Sequence, residues 1–392
     1  SFFRKRHGMG IYFCPALMDF LVFFCLFSLS VTTGMQKMGA GEITIIFVTF
    51  QVAYLVASLA LGHFLSRRIA RGVLLAGTAL STLSGMACLF AQGFWSMVAC
   101  LALFGVFTAC FFNAFQTVMR GEAPPGGLTK SVAFYTMAWS TGSAFGFWLS
   151  GLLFQSGRGV MFATALAAGI VMLLLILSKK TRPCTEASAD EHVEEGSGSA
   201  RRVSPAYVMI GWLLIFTAML VQRPFQNYLP SLSAKAGEPA YLSGLMLGLN
   251  MFVQGMVGYA MIRFRDILYR RTSLWIIQLC AALVCRLLWK ADSLPARFAA
   301  LGFLGAYFGY AFFCAVYYAS NSGRRSFNTG VNECLVGLGS VAGLAAGTGW
   351  MKVTGSPAGM FLGCAIALAA STAIQIVLLS RPPAPGGRRA LK

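Results

Sequence analysis

Apolar and polar positions form long alternating blocks along this chain. Stretches of about 20 mostly apolar residues recur from end to end, and short polar segments separate them. That length is what an α-helix needs to cross the hydrocarbon core of a bilayer. Because lipid offers the backbone no hydrogen-bond partner, such segments are expected to be helical.

The pattern predicts twelve membrane-spanning helices in two groups of six. The first six are predicted at 11–35, 43–65, 72–91, 95–119, 130–154 and 159–178. The second six are predicted at 205–230, 240–263, 272–290, 297–319, 327–351 and 357–380. The first span is too long for a signal-peptide core, and no small-residue cleavage site follows it, so we expect it to be retained.

Composition supports a membrane protein. The 392 residues are 57% hydrophobic and only 11% charged, with a mean hydropathy of +0.70. Soluble domains carry roughly 25% charged residues. A chain with so few polar side chains cannot cover its surface in water.

Basic residues are distributed unevenly between the predicted loops. With a cytoplasmic N-terminus, the inside segments hold 23 Lys and Arg residues and the outside loops hold 6. This asymmetry is what the positive-inside rule predicts for a protein of the cell inner membrane. It predicts that both termini lie on the cytoplasmic side. The net charge of +19 therefore lies in short loop clusters, which argues against nucleic-acid binding.

A polar stretch separates the two groups of spans. It contains Pro183 and four clustered acidic residues, and it is too polar to bury a core, so we expect a flexible cytoplasmic linker. The predicted units are an N-terminal six-helix bundle at 1–178, the linker at 179–204, a C-terminal six-helix bundle at 205–380 and a cytoplasmic tail at 381–392.

Cysteines and histidines do not indicate a metal site or a disulfide framework. Ten of the eleven cysteines lie in or beside apolar spans, none forms a Cys-x-x-Cys pair, and the three histidines are far apart. Cysteine in an apolar helix packs as a small hydrophobic residue. We expect no metal and no cofactor.

The two groups of spans repeat each other at offsets of 196 to 201 residues. The matching elements are Gly62 and Arg67 with Gly258 and Arg263, Gly142 and Gly146 with Gly339 and Gly343, and Phe111–Phe112 with Phe312–Phe313. Together they indicate a duplicated six-helix unit, an architecture in which a binding site forms between two rocking halves.

With these features the sequence resembles the major facilitator superfamily over nearly all of its length. The most specific element is the segment 62–71, Gly-His-Phe-Leu-Ser-Arg-Arg-Ile-Ala-Arg, beside the family's Gly-x-Leu-Ala-Asp-Arg-x-Gly-Arg-Arg/Lys. Gly62, Arg67 and Arg71 fall on the glycine and two of the basic positions. Ser66 stands where the family has an acidic residue, so the latch attributed to that residue is absent or built differently.

The resemblance implies an all-α membrane protein with twelve transmembrane helices in two pseudo-symmetric bundles. It implies alternating access and a conformational role for the loop residues Gly62, Arg67, Arg71, Gly258 and Arg263. We expect a monomeric secondary transporter in the bilayer that binds a small organic solute and is coupled to protons.

Two alternatives stay open. A facilitative uniporter would share this architecture without proton coupling. A membrane receptor or scaffold should carry sizeable soluble segments, whereas the longest predicted loop has 26 residues. An enzyme should show clustered His, Asp or Glu residues, which this sequence lacks, so we expect no catalytic residues. The identity of the solute and the direction of transport are not readable from the sequence.

Ionisable residues inside predicted spans are costly and are functional candidates for that reason. Glu333 in span 11 is the first candidate, with Asn328 and Asn332 beside it. Desolvation disfavours a charged carboxylate, so Glu333 could bind a proton and release it as the cavity opens to water. The alternative is a structural pair with an arginine or an interhelical hydrogen bond.

Three other charged residues interrupt the spans. Asp19 in span 1 is a candidate for coupling or substrate contact, or else it caps the helix or pairs with loop arginines. Arg223, just before Pro224, either extends outward to the membrane surface or meets an anionic substrate. Arg286 lies in span 9, which is peripheral in the fold that the sequence resembles, and is predicted to be structural.

Polar and aromatic residues supply further candidates for the cavity lining. They are Gln51, Asn113, Gln116, Gln222, Asn227, Asn250, Gln254 and Asn321, with Tyr135, Trp139, Tyr317 and Tyr318 as aromatic walls. Asn113 and Gln116 share a helix face, as do Asn250 and Gln254. The alternative roles are interhelical hydrogen bonds for the amides and core or lipid packing for the rings.

The topology makes a prediction for Cys184 in the linker. A membrane-impermeant thiol reagent should label Cys184 only when it is applied from the cytoplasmic side. Labelling from outside in intact cells would contradict the predicted orientation. A Cys184→Ser variant, which keeps the ten other cysteines, measures the background.

Overall fold

The computed structural model describes residues 13–120, 128–178, 204–291, 293–320 and 325–380. In these ranges the chain is helical, with short turns between the helices. Most of the predicted linker and the whole predicted tail lie outside the described residues.

Twelve long helices make up nearly all of the described chain. The first six are α1 (Phe13–Met35), α2 (Ala40–Phe64), α3 (Arg67–Phe90), α4 (Phe94–Arg120), α5 (Leu128–Leu153) and α6 (Arg158–Ser178). The second six are α7 (Pro205–Lys235), α8 (Ala240–Ala260), α9 (Arg271–Leu288), α10 (Leu294–Ser320), α11 (Arg325–Thr354) and α12 (Gly359–Ser380). Two short 3-10 helices, Phe154–Ser156 and Arg265–Tyr269, follow α5 and α8.

Each predicted span coincides with one of these helices, and the ends differ by at most five residues. The largest differences are at the start of α3 and at the end of α7, where polar residues continue the helix beyond the apolar window. Pro224 and Pro230 lie inside α7 without ending it. Membrane helices tolerate such prolines because neighbouring groups satisfy the freed carbonyls.

Eleven of these helices are long and apolar enough to cross a membrane. The remaining helix, α5, carries seven serines and threonines. Two of these hydroxyls donate to carbonyl oxygens, Ser143 to Trp139 at 2.8 Å and Ser150 to Phe24 at 2.9 Å. The polarity of α5 is therefore partly satisfied inside the protein, as expected of an interior helix.

Glycines bring α1 and α5 into backbone contact. A Cβ added to Gly142 would lie 1.9 Å from the carbonyl oxygen of Ala16, and one added to Gly146 would lie 2.6 Å from that of Phe20. No side chain fits in this space. Small residues drive helix association in membranes because they permit this close approach.

The second half repeats this contact between α7 and α11. A Cβ on Gly339 would lie 2.6 Å from the carbonyl oxygen of Phe216, and one on Gly343 would lie 2.4 Å from that of Leu220. The glycines are those of the sequence repeat, and their partners are again related by an offset of 200 residues. The halves thus share a packing geometry as well as a sequence pattern.

Among the described residues the halves meet mainly along the helix pairs α1 with α7, α2 with α11, and α5 with α8, and α5 also contacts α10. We name the end at which α6 ends and α7 begins the linker end, and the opposite end the far end. The pair α5 and α8 stays in contact over most of its length. The Trp148 Nε1 atom donates to the carbonyl oxygen of Leu245 at 3.3 Å near the far end, and the Phe134 and Tyr259 rings lie 5.7 Å apart near the linker end.

The packing of Gly343 predicts a contrast with Gly349 on the same helix. Gly343→Ala should destabilise the protein by about 1–3 kcal/mol because the new methyl group overpacks against α7. Gly349→Ala should be neutral or stabilising by up to about 1 kcal/mol, since nothing lies within 4 Å of its added Cβ and alanine favours the helix. Unfolding midpoints in detergent measure both, and equal midpoints would contradict the predicted contact.

Candidate functional site

Arg223 on α7 projects into the interface between the halves. Its Nε atom donates to the Ser340 hydroxyl on α11 at 3.1 Å, and Nη1 donates to Gln226 Oε1 at 2.7 Å. The guanidinium lies over the Phe23 ring of α1, 5.7 Å from the centroid. Of the two roles that the sequence allows, these contacts favour an inward-facing arginine over one that extends to the membrane surface.

Asp19 on α1 supplies a charge opposite to that of Arg223. The side chain is 9% exposed and lies within electrostatic range of the guanidinium. The hydrogen bonds of Arg223 go to Ser340 and Gln226 rather than to this carboxylate. Asp19 and Arg223 therefore lie near each other across the two halves, and no direct hydrogen bond joins them.

Glu333 on α11 and Asp19 lie near the same two tyrosines. Tyr54 of α2 and Tyr135 of α5 are each close enough to both carboxyl groups to interact with them electrostatically, and Gln116 of α4 lies near Tyr135. The Glu333 side chain is exposed in this conformation. It lies seven residues from Ser340, about 10 Å of helix rise nearer the linker end.

The asparagines beside Glu333 face elsewhere. Asn328 and Asn332 are buried, and the carbonyl oxygen of Asn328 accepts a hydrogen bond from Trp212 Nε1 of α7 at 3.3 Å. The Oδ1 atom of Asn332 has no hydrogen-bond partner among the described residues. The two asparagines are four residues apart and share one helix face, whereas Glu333 is rotated away from it.

An amide chain links the halves beside α7. The Gln222 side chain donates to Gln254 Oε1 of α8 at 2.5 Å, and Gln254 donates to the Ser140 hydroxyl of α5 at 3.3 Å. Gln222 also contacts the Met251 sulfur at 3.4 Å. This part of the predicted lining is therefore brought together at the interface.

Other predicted lining residues form local hydrogen bonds. Asn113 donates to the Ser58 hydroxyl at 3.0 Å, which joins α4 to α2. Asn227 and Asn250 donate to carbonyl oxygens, and Asn250 reaches Leu301 of α10 at 2.7 Å. Gln51 is buried in α2. Asn321 lies outside the described residues.

The predicted aromatic walls separate into two groups. The Trp139 ring of α5 meets Phe312 of α10 across the interface, with centroids 5.5 Å apart. Tyr317 and Tyr318 lie at the linker end instead, where the Tyr269 hydroxyl donates to Tyr317 at 3.4 Å and Tyr318 donates to the Leu268 carbonyl oxygen. These two tyrosines hold the turn after α8.

The predicted conformational loops flank α3 and α8. Arg67 begins α3, and Arg71 is half-buried one turn later. In the repeat, Gly258 packs with its Cβ position 3.0 Å from a methyl carbon of Thr136 on α5, and the Arg263 side chain is exposed. The structure does not describe the surroundings of Gly62. A role for these residues in switching stays a prediction.

Sequence reasoning missed a hydroxyl cluster at the far end, which we name the far-end clasp. It consists of Thr44 of α2, Tyr228 of α7 and Thr348 of α11. The threonine hydroxyls lie 2.5 Å apart, and the Tyr228 hydroxyl lies 2.9 Å from each. Single hydroxyl residues near helix ends carry no recognisable sequence signal, because their distance in space depends on the packing of three helices.

Further contacts between α1 and α7 support the clasp. The Ser30 hydroxyl donates to the Asn227 carbonyl oxygen at 2.6 Å, and Thr33 donates to Ser231 at 3.2 Å. The Lys235 ammonium group donates to the carbonyl oxygen of Met38. The far end is therefore closed by hydrogen bonds between the halves.

This arrangement of two repeated bundles with polar groups at their interface has a counterpart among known families. The sequence profile of the Major Facilitator Superfamily matches residues 11–323. The chain belongs to this superfamily. Membership confirms the resemblance seen in the sequence, and it identifies the protein as an integral membrane transporter of a small molecule.

Solved structures support the same fold. A crystal structure of the nucleoside transporter NupG, in mutant form, matches with a TM-score of 0.66 over 95% of this chain and 99% of that chain. The sequence identity is 12%, so the likeness is one of fold. It confirms the predicted superfamily fold of two six-helix bundles. No curated protein matches the sequence.

The far-end clasp predicts a cross-link. In a Thr44→Cys/Thr348→Cys double variant, mild oxidation should form a disulfide between α2 and α11, because the native hydroxyls are in contact. Mass spectrometry of the digested protein detects the bond. Thr49→Cys combined with Thr348→Cys is the matched control, since Thr49 is half-buried on α2 and its hydroxyl donates to the Ile45 carbonyl oxygen of the same helix. An absent cross-link at position 44 would show that the far end is open.

Proposed function

We propose that this transporter couples proton movement to the transport of a small organic solute by alternating access. One observation carries the proposal. Asp19 of α1 and Glu333 of α11 come from opposite halves and lie within electrostatic range of the same two tyrosines, Tyr54 and Tyr135. A proton carrier must sit where the halves separate, and the contacts of α1 and α11 with helices of the other half support this role for the two carboxyl groups.

The two carboxyl groups differ in environment in this conformation. Asp19 is buried, whereas Glu333 is exposed. Rocking of the halves exchanges water at the interface, and a carboxyl group that loses water prefers its neutral form. Alternating access would therefore let such a group take up a proton on one side and release it on the other.

The neutral groups at the interface support an organic solute. The Gln222–Gln254 pair offers amide donors and acceptors, and the Trp139–Phe312 pair offers an aromatic surface. Binding sites commonly combine a few polar groups with apolar walls. The same features suit a facilitative uniporter, which is the second candidate. The nucleoside specificity of NupG does not transfer at 12% identity.

We further propose the topology that the loop charges support. The N-terminus, the C-terminus and the linker 179–204 are cytoplasmic, which makes the linker end the cytoplasmic end in a cell inner membrane. The bundles comprise 1–178 and 205–380, and the transporter acts as a monomer. In this orientation the far-end clasp closes the outer side.

Proton coupling is tested by neutralising each carboxyl group. A thermal-shift screen against metabolites first identifies a substrate, because a bound ligand stabilises the folded state. In proteoliposomes with one pH unit across the membrane, a coupled symporter of one proton gains about 1.4 kcal/mol, or about tenfold accumulation. Glu333→Gln should retain exchange but lose accumulation. If Glu333→Gln accumulates substrate like the parent, Asp19→Asn is the next variant to test.

Glu238→Gln is the matched control. Glu238 forms an ion pair with Arg297 at 3.2 Å away from the interface, and each side chain is 32% exposed. An exposed pair contributes about 0–1 kcal/mol, so this variant should accumulate substrate normally. If both carboxyl variants at the interface also accumulate normally, the coupling proposal is wrong. If the parent only equilibrates its substrate, the protein is a uniporter.

A further inference from the structure

We propose that Arg223 binds the carboxylate of an organic acid and that a proton on Asp19 is required for this binding. The inference rests on the proposed proton-coupled function and names its substrate class. The site would lie between α1, α7 and α11, where the two halves meet. Its substrates would be monocarboxylates with an apolar body.

The bonding of Arg223 leaves room for an anionic ligand. Its described hydrogen bonds go to neutral acceptors, the Ser340 hydroxyl and the Gln226 amide. The Nη2 atom has no acceptor among the described residues. An arginine keeps its charge and carries five N–H donors in a planar fork, which matches the two oxygens of a carboxylate.

The surroundings of Arg223 favour a ligand with an apolar body. Phe23 lies under the guanidinium, and Tyr54 lies within electrostatic range of it. A small acid bound at Nη2 could place its hydrocarbon part against these rings. A cation would be repelled by Arg223, and a neutral amide would gain no charge attraction from it.

Charge balance links the anion to a proton on Asp19. With Asp19 ionised and no ligand, the pair with Arg223 is neutral. With Asp19 protonated and a monoanion bound, the site is neutral again. An anion without the proton leaves one net negative charge, and a proton without the anion leaves one net positive charge. Both charged states are costly where water is scarce, so proton and anion should bind together.

Other titratable groups around Asp19 do not supply this balance. Tyr54 of α2 and Tyr135 of α5 are phenols that stay uncharged at neutral pH, and Arg223 of α7 stays cationic. Glu333 of α11 reaches the same tyrosines from nearer the linker end. Asp19 lies one helical turn before Phe23 on α1, and the Arg223 guanidinium lies over the Phe23 ring. A Glu333→Gln variant separates its contribution in the experiment.

The test uses the purified full chain and a matched panel of ligands. The panel is benzoate, phenylacetate and hexanoate, each with its amide and with an amine of similar size. Affinity is taken from thermal shifts at pH 6 and pH 8, where these acids are ionised. The carboxylates should bind, and their Kd should rise about tenfold per pH unit while Asp19 is ionised in the free protein.

Variants then test each residue of the pair. Asp19→Asn should bind carboxylates at pH 8 at least as tightly as the parent does at pH 6, with no pH dependence. Arg223→Gln should lose carboxylate binding, and Arg223→Lys, which keeps the charge, should retain part of it. Arg286→Gln is the matched control and should not affect binding. Arg286 lies on α9, and its guanidinium carbon is 4.6 Å from the centroid of the Trp289 ring.

Several outcomes would overturn the inference. These are equal binding of amides or amines, no binding by any carboxylate, unchanged binding in Arg223→Gln, and weaker binding in Asp19→Asn. Loss of the pH dependence in Glu333→Gln rather than in Asp19→Asn would also overturn it. Proton-coupled uptake of an amide would refute the anion site but leave the proposed function standing. Carboxylate binding without pH dependence would refute the role of Asp19.

Discussion

The structure depends on one constraint, which is that polar groups inside a bilayer must be satisfied by the protein itself. Backbone amides meet it by forming helices, and hydroxyls such as that of Ser150 meet it by donating to carbonyl oxygens. Charged side chains have fewer possible partners inside a bilayer. Asp19, Arg223 and Glu333 all lie on helices at the boundary between the halves, where polar groups of both halves can reach them.

The same constraint produces two kinds of helix contact. Within each half, backbones touch at glycines, as at Gly142 and Gly343, and no rearrangement is possible without separating the helices. Between the halves, glycines such as Gly34 and Gly244 also bring backbones close together, and contacts such as Thr44–Thr348 and Ser30–Asn227 add hydrogen bonds of side chains. Such bonds between membrane helices contribute about 0.6 kcal/mol each, so they can be exchanged in turn. Rigid halves with a separable interface are what alternating access requires.

The spans could be predicted to within five residues because hydrophobic length is a local property of the sequence. The repeat glycines predicted a duplicated unit, and in the structure they make equivalent close contacts in the two halves. Side-chain partners were harder to predict. Asn250 and Gln254 share a helix face, yet Asn250 hydrogen-bonds to α10, whereas Gln254 hydrogen-bonds to α7 and α5. These hydrogen-bond partners depend on how several helices pack together, and a local sequence pattern does not predict that packing.

The position of the charge pair connects chemistry to motion. A change of charge on Asp19 can shift a conformational equilibrium only if its interaction with Arg223 differs between conformations. Asn227 lies one turn beyond Arg223 on α7, and its carbonyl oxygen accepts the Ser30 bond that helps to close the far end. Opening that end must move this part of α7 relative to α1, and so must change the distance between Arg223 and Asp19. Under the proposed coupling, a proton on Asp19 would weaken an attraction that favours the closed far end, and a bound anion between the same helices would restore it.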